Sequence, residues 1–158
     1  MKVMSRWGKN VNLKSPLQEY PRMQLQRGSY TNLNGRWEYQ ITDTNQLPYE
    51  HNWKPINVPF PLGSQLSGSD EILLPGKVLW YKKQFSYKPG EYHTYLNFEA
   101  VDQQCIVYLN GIEVGRHIGA YEPFSFDVSS YIKYQNALLV KCTDPSDTGE
   151  YAYGKQKI

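Results

Sequence analysis

The chain has 158 residues, 17 of them basic and 15 acidic, for a formal net charge of +2. Its charges are scattered and the one adjacent Lys/Arg pair, Lys82-Lys83, falls inside a strand pattern, so a phosphate-tracking surface is excluded and no nucleic-acid partner is expected. Aromatic residues make up 15% of the chain, 14 of them Tyr, a bias that suits pleated strands, and the length is that of one domain able to bury a core of its own.

Met1 to Gln26 is polar, broken by Pro16 and Pro21 and without a sustained period. It reads as an extended N-terminal arm (1–26) ahead of a single β domain (27–158). The first ten residues lack an apolar run of leader length, and the longest aliphatic runs, Ile72-Leu73-Leu74 and Ala137 to Val140, are far too short to cross a membrane. No membrane partner is expected, and the location is read as cytoplasmic. Asn34-Gly35 reads as a turn, with Trp37, Tyr39 and Ile41 following on one strand face and Trp37 as a core anchor. Asp43 to Pro55 reads as a loop and Ile56 to Val58 as a short strand closed by Pro59 and Pro61. Leu62 to Lys77, rich in Gly and Ser, is a long irregular connection.

Val78 to Phe85, VLWYKKQF with Trp80 inside it, is a strong strand whose double Lys fits a solvated or edge position. Lys88-Pro89-Gly90 turns the chain. Leu96 and Phe98, then Cys105, Val107 and Leu109, alternate with their neighbours at the period of strands that face a core. Between Leu109 and Ile112 stands Asn110-Gly111, the residue pair best suited to two consecutive positive φ angles, so a type I′ hairpin is expected there. The return strand is Ile112 to Arg116, and Gly115 and Gly119 suggest a bend around His117. Phe124, Phe126 and Val128 resume the alternation. Asp127 is placed to cap a helical turn around Ser129-Ser130-Tyr131, and Ala137 to Cys142 is the last strand. The pattern is all-β.

Few residues invite chemistry. Cys105 and Cys142 sit in apolar strand patterns outside any C-x-x-C pair and read as buried thiols, a cross-strand disulfide being geometrically open. His117, beside Arg116 and flanked by glycines, has no second His or Cys at ligand spacing; a structural hydrogen-bonding role outweighs a catalytic one, and no metal site is expected. Ser125, Ser129 and Ser130 lack the strand-to-helix elbow of a hydrolase nucleophile. Glu99 and Asp102 read as a solvated rim rather than a glycosidase pair. In Asp144-Pro145-Ser146-Asp147-Thr148-Gly149, both aspartates are natural turn formers. Trp7, Trp53, Tyr151 and Tyr153 lie in loop-like segments, where their rings suit either sugar stacking or docking against a neighbour.

Five separated stretches, in order, resemble one family: Tyr20 to Leu25, Asn32 to Tyr39, Val78 to Phe85, the continuous run Phe98 to Asp127, and Asp144 to Gly149. Phe98-Glu99-Ala100-Val101-Asp102, Leu109-Asn110-Gly111 and the run Val114 to Asp127, VGRHIGAYEPFSFD, are similar to the F-x-A/G-V-D, V-N-G and V-G-x-H-x-G-G-Y-T-P-F-x-F-D pattern of the N-terminal sugar-binding domain of glycoside hydrolase family 2. Asn32 to Tyr39, Val78 to Phe85 and Asp144 to Gly149 resemble its L-N-G-x-W-x-F, W-Y-R-R-x-F and W-D-P-T-D-T-G motifs. The lead-in Tyr20 to Leu25 is similar to Y-P-R-P-Q-L. Ala120, Glu122, Thr143 and Met23 depart from the pattern.

The resemblance implies a jelly-roll β-sandwich of the galactose-binding type in which Trp37, Trp80, Asn110, Gly111, His117, Tyr121, Phe124 and Asp127 are structural motif positions. It further implies a non-catalytic accessory domain of a retaining β-glycosidase, inert by itself and needing no cofactor. Its partners would be the rest of the parent chain, a second β domain and a catalytic (β/α)₈ barrel, together with the parent's carbohydrate substrate. By the same resemblance Asp147, with Asp144 before it, would stand at the substrate side, hydrogen-bonding sugar hydroxyls or helping to hold a metal ion. Galactose, glucuronic acid and mannose specificities all fit this pattern. An autonomous carbohydrate-binding module and a sandwich used only for protein contacts are the alternative readings of the same residues.

Overall fold

The structure, a computed structural model, describes residues 4–21, 24, 27–44 and 46–145. Eight strands carry it: β1 (Gly35–Asp43), β2 (Lys54–Val58), β3 (Lys77–Ser86), β4 (Tyr95–Phe98), β5 (Gln104–Leu109), β6 (Ile112–Ile118), β7 (Phe124–Asp127) and β8 (Gln135–Thr143). Helix among the described residues is limited to 3₁₀ geometry, at Gly8–Asn10 and at Gln24. The fold is all-β, as the alternation requires. The chain divides into two compact units, Met1–Trp37 with Pro55–Ile72, and Glu38–Lys54 with Leu73–Ile158.

In the first unit the N-terminal arm is tied to residues 30–35. Asn32 Nδ2 donates to the Leu17 carbonyl (2.9 Å), Tyr30 Oη to the Gln18 carbonyl (2.8 Å), and the Tyr20 and Tyr30 rings meet edge to face at 5.0 Å. Pro16 is fully buried. Asn34-Gly35 forms no turn, contrary to the expectation. Gly35 is the first residue of β1, held at φ 109°, and a Cβ there would lie 2.8 Å from the Lys14 carbonyl oxygen, so close backbone approach and not a turn requires the glycine. Trp37 is buried, its indole N–H donating to the Leu33 carbonyl at 2.7 Å. Residues 62–72 form no strand, yet the buried Ser67 is anchored by its hydroxyl bond to the Ser64 carbonyl (2.7 Å) and by its own carbonyl, which accepts from Asn57 N–H (2.9 Å).

The second unit holds five neighbouring strands in the order β1-β3-β8-β5-β6. All four junctions are antiparallel. The registers align side chains in rows across the sheet: Ile41, Leu79, Cys142, Cys105 and His117 make one, and Tyr39, Tyr81, Val140, Val107 and Gly115 the next. Directly opposed residues share a face, so both rows line the same side. On the other side Trp80 is buried and its indole N–H donates to Thr42 Oγ1 (3.0 Å). Gln40, also buried, holds the loop after β1: it accepts from Tyr49 N–H (2.6 Å) and donates to the His51 carbonyl (2.8 Å). A buried amide is tolerated there because both of its ends are satisfied.

The double lysine does not mark an edge, for β3 is central. Lys82 pairs with Glu38 (3.0 Å) and lies 4.2 Å above the Trp53 ring, while Lys83 belongs to the opposite face, where burial pushes its pKa down.

A second, two-stranded sheet pairs β4 with β7, Leu96 opposite Phe126 and Phe98 opposite Phe124. Its apolar side meets β6. The His117 ring stacks on Phe124 at 4.0 Å and 13°, and Phe124 stacks in turn on Phe98 at 4.9 Å. Gly115 lies against Phe126 so closely that a Cβ would overlap the ring. The β5/β6 ladder shifts register between Val107 and Tyr108, leaving Val114 as the extra residue of a bulge, and β6 runs two residues past the expected Arg116 to Ile118. The two packed sheets make this unit a β-sandwich.

Candidate functional site

The β5–β6 hairpin is built as its sequence demands. Asn110 and Gly111 have φ 54° and 84°, the two positive values of a type I′ turn. The Asn110 side chain then ties the hairpin to the β7–β8 connection. Nδ2 donates to the Tyr131 carbonyl (2.8 Å) and to Asn136 Oδ1 (3.0 Å), and Oδ1 accepts from Ala137 N–H (3.0 Å). His117, two strands away from Trp80's neighbour Lys141, is a packing residue, its ring lying flat on Phe124. Its Nε2 is buried with no partner among the described residues.

Asp127 ends β7 and organises a polar cluster. Its Oδ1 accepts from Ser129 N–H (2.9 Å) and Ser129 Oγ–H (2.5 Å), and its Oδ2 accepts from His93 Nδ1–H (2.7 Å). The bonds from Ser129, then that from His93, hold the carboxyl down at about 2, well below its ordinary value. Ser129 Oγ also accepts from Thr94 N–H (2.9 Å), and the carbonyl of Val128 accepts from the N–H groups of Tyr131 and Ile132 (both 2.9 Å), giving the single capped turn the sequence suggested. Next to this network a shallow cleft of about 210 Å³ is lined by Gly90, Glu91, Tyr92, His93, Thr94 and Ser129.

The cluster contains Ser, His and Asp but in an order that cannot activate a nucleophile. In a hydrolase triad the imidazole stands between hydroxyl and carboxylate. Here the carboxylate stands in the middle, and Ser129 donates its proton to Asp127 while its oxygen accepts from Thr94 N–H. Among the described residues the Glu113 carboxyl, through its bond to Arg116, and the Asp127 carboxyl, through Ser129, are moved down, whereas a general acid needs the reverse. Glu99 and Asp102 are exposed at either end of the β4–β5 connection. No group of three or more His, Cys, Asp or Glu side chains is placed to hold a metal ion among the described residues.

Of the residues the resemblance marks for the substrate side, Asp144 follows β8 directly and is half-buried, whereas Asp147 lies outside the described residues, as do Tyr151 and Tyr153. Trp53 has Lys82 over one ring face, which removes that face as a sugar platform. Trp7 is 69% exposed with Arg6 4.2 Å above it, and Tyr121 is 80% exposed. Sequence reading missed the His93–Asp127 pair because its members are far apart in the chain. The alternation of β4 and β7 held the only signal for it, since pairing Leu96 with Phe126 sets Tyr95 opposite Asp127 and brings His93 alongside.

The fold and site describe an all-β galactose-binding-like sandwich in which the polar clusters around Asn110 and Asp127 cap and brace strands. Residues 71–157 match the family described as glycosyl hydrolase 2 galactose-binding domain-like, and the chain belongs to that family. It is 33% identical over 125 residues to a putative beta-glucuronidase of Formosa agariphila, covering 73% of this chain and 15% of the relative. Over 63 residues it is 46% identical to a beta-galactosidase of Thermoanaerobacter pseudethanolicus, covering 37% of this chain and 8% of that protein. Among solved structures it resembles the Bifidobacterium dentium beta-glucuronidase complexed with coumarin-3-O-glucuronide, with 28% identity, a TM-score of 0.59 and coverage of 69% of this chain and 19% of that one. The Faecalibacterium prausnitzii beta-glucuronidase shares the fold with a TM-score of 0.65 at 23% identity. The chain spans 15% and 12% of the length of the first two curated relatives it matches.

Proposed function

We propose that this chain acts as a non-catalytic accessory domain of a longer family 2 β-glycosidase, flanking a substrate pocket whose acid and nucleophile lie elsewhere in that protein. The observation that carries the reading is coverage: relatives named as beta-glucuronidase and beta-galactosidase match this chain over only 8–16% of their length. Retaining hydrolysis needs two carboxyl groups about 5–5.5 Å apart, and in this reading both belong to the rest of the longer protein. The loop after β8, with Asp144 and Asp147, is the part that reaches the sugar in this reading, and both uronide and galactoside substrates fit the names of the relatives.

The test is made on the full-length enzyme with aryl β-D-glucuronide and aryl β-D-galactoside in parallel. Asp147→Asn lowers kcat/KM on the preferred substrate by roughly tenfold or more, the effect of one lost charge-assisted hydrogen bond of about 1.5–3 kcal/mol, without lowering Tm. The 158-residue chain alone hydrolyses neither compound. Unchanged kinetics in the variant would remove Asp147 from the pocket, and turnover by the isolated chain would overturn the accessory role.

A further inference from the structure

The row that crosses the large sheet contains two cysteines side by side, and the ladder fixes how they meet. Directly opposed residues of an antiparallel pair alternate between hydrogen-bonded and non-hydrogen-bonded positions, the latter with Cα atoms about 4.5 Å apart and side chains closer. Asn110 N–H donates to the Ala137 carbonyl (2.8 Å), which marks that pair as hydrogen-bonded. Counting by twos along the unbroken β5/β8 register, the pairs containing Tyr108, Ile106 and Gln104 are hydrogen-bonded as well, and Cys105 opposite Cys142 is not. The other side of β5 agrees. Gly119 N–H donates to the Gln103 carbonyl (2.8 Å), so Cys105 belongs to a hydrogen-bonded pair with His117 and turns its own N–H and C=O toward β6. Its flank toward β8 is therefore the one free of ladder bonds. A Cα separation of about 4.5 Å lies within the roughly 4.4–6.8 Å that a disulfide spans.

We propose that Cys105 and Cys142 form a cross-strand dithiol that closes to a disulfide joining β5 to β8, with a small-molecule disulfide of the glutathione class as its oxidant. Both thiols are free in the structure, 3% and 4% exposed, and on the same face of the sheet. They are not equivalent. Burial pushes Cys105 up to about 11, opposed by a hydrogen bond from the His117 backbone to its sulfur, while burial and the neighbouring Cys105 drive Cys142 higher still. Cys105 is the readier thiolate and so the attacking group.

Its thiolate, having lost a proton to solvent, attacks one sulfur of the small disulfide, forming a mixed disulfide and expelling one small thiolate. Cys142, deprotonated in turn, attacks Cys105 Sγ and expels the second. The two departing thiolates take up the two protons. Two protein thiols are thus oxidised to one disulfide while one small disulfide is reduced to two thiols. At neutral pH the scarcity of thiolate makes closure slow, and its rate climbs about tenfold per pH unit below the Cys105 pKa.

The proposal is independent of the accessory role and is tested on the chain itself. The folded chain is incubated across a series of reduced-to-oxidised glutathione ratios at pH 8–9, and a second sample is refolded from denaturant in the same buffers. Intact mass, free-thiol titration and Tm are read on both. The expected product is a monomer lighter by two hydrogens, with no titratable thiol and a Tm higher by on the order of 5–10 °C, reversed by dithiothreitol. Cys142→Ser stops at the mixed disulfide, one glutathionyl group heavier, whereas Cys105→Ser reacts more slowly at its remaining thiol. Two free thiols in natively folded chain from the refolded sample, at ratios that oxidise ordinary structural disulfides, would overturn the proposal. So would a disulfide that lowers Tm, because strain of that size would contradict the opposed geometry.

Discussion

The two faces of the β4–β7 ribbon use alternate residues of the same few positions for opposite purposes. Phe124 and Phe126 turn inward, where one carries the His117 ring and the other fills the space left by Gly115. Ser125 and Asp127, their immediate neighbours, turn outward. There Ser125 donates to Asn97 Oδ1 (2.6 Å) and Asp127 gathers three hydrogen bonds from Ser129 and His93. The inward face is held by volume, which tolerates almost no change. The outward face is held by directional bonds between groups that water reaches, and each of those is worth far less. A motif dense in His, Tyr, Ser and Asp therefore owes that density to two structural jobs on one period-2 strand.

The sharpest way to break the comparison is at the inward contact. Gly115→Ala forces a methyl group into the Phe126 ring, and overpacking of this kind costs about 3 kcal/mol, the upper end of what well-packed cores show. The φ of Gly115 is not among the positive ones, so the penalty is steric and not conformational. Chemical denaturation of Gly115→Ala, Phe126→Leu and the double variant measures it. The double variant should recover a good part of the loss, a coupling that two independent defects would not show.

A smaller effect is expected at the hairpin. Asn110→Ala loses three side-chain hydrogen bonds and places alanine at φ 54°, together about 2 kcal/mol. Asn110→Gly relieves the backbone strain while still losing the bonds. Equilibrium unfolding should therefore rank it between wild type and Asn110→Ala; equal stability of the two variants would show that the bonds to Tyr131, Asn136 and Ala137 carry the whole effect.

How much of this was legible in the sequence follows the range of the interactions. The Asn110-Gly111 turn, the alternation of β5, β7 and β8, and the cap at Asp127 depend on residues a few positions apart, and the chain states them directly. Gly35 and Lys82 misled because their neighbourhoods are set from afar. An Asn-Gly pair reads as a turn until the Lys14 carbonyl arrives, and a double Lys reads as an edge until a strand is laid on each side of it. The opposition of Cys105 and Cys142 was open as a geometric option but could be fixed only by the register between β5 and β8, which no local pattern encodes. The Asp144 to Gly149 stretch is marked for the substrate side by resemblance alone, since its composition is that of an ordinary turn, and past Pro145 it lies outside the described residues. The His93–Asp127 pair was invisible because pairing of β4 with β7 creates it.

The smallest predicted effect belongs to the outward face and is read through pH. The Asp127 carboxyl has a folded-state pKa of about 2, depressed below its unfolded value by Ser129 and His93. Between the two values the unfolded chain binds a proton that the folded chain refuses, so the stabilisation is whole above about pH 5 and drains away as pH falls through the unfolded value toward 2. Asp127→Asn keeps an oxygen able to accept from Ser129 but carries no charge to lose. Its Tm should lie slightly below that of wild type at pH 6, and the two should converge by pH 2–3. Parallel melting curves across that interval would mean that the charge on Asp127 contributes nothing and that the cap works through its shape alone. The face would then differ from its inward counterpart in degree of burial and not in the kind of force that holds it.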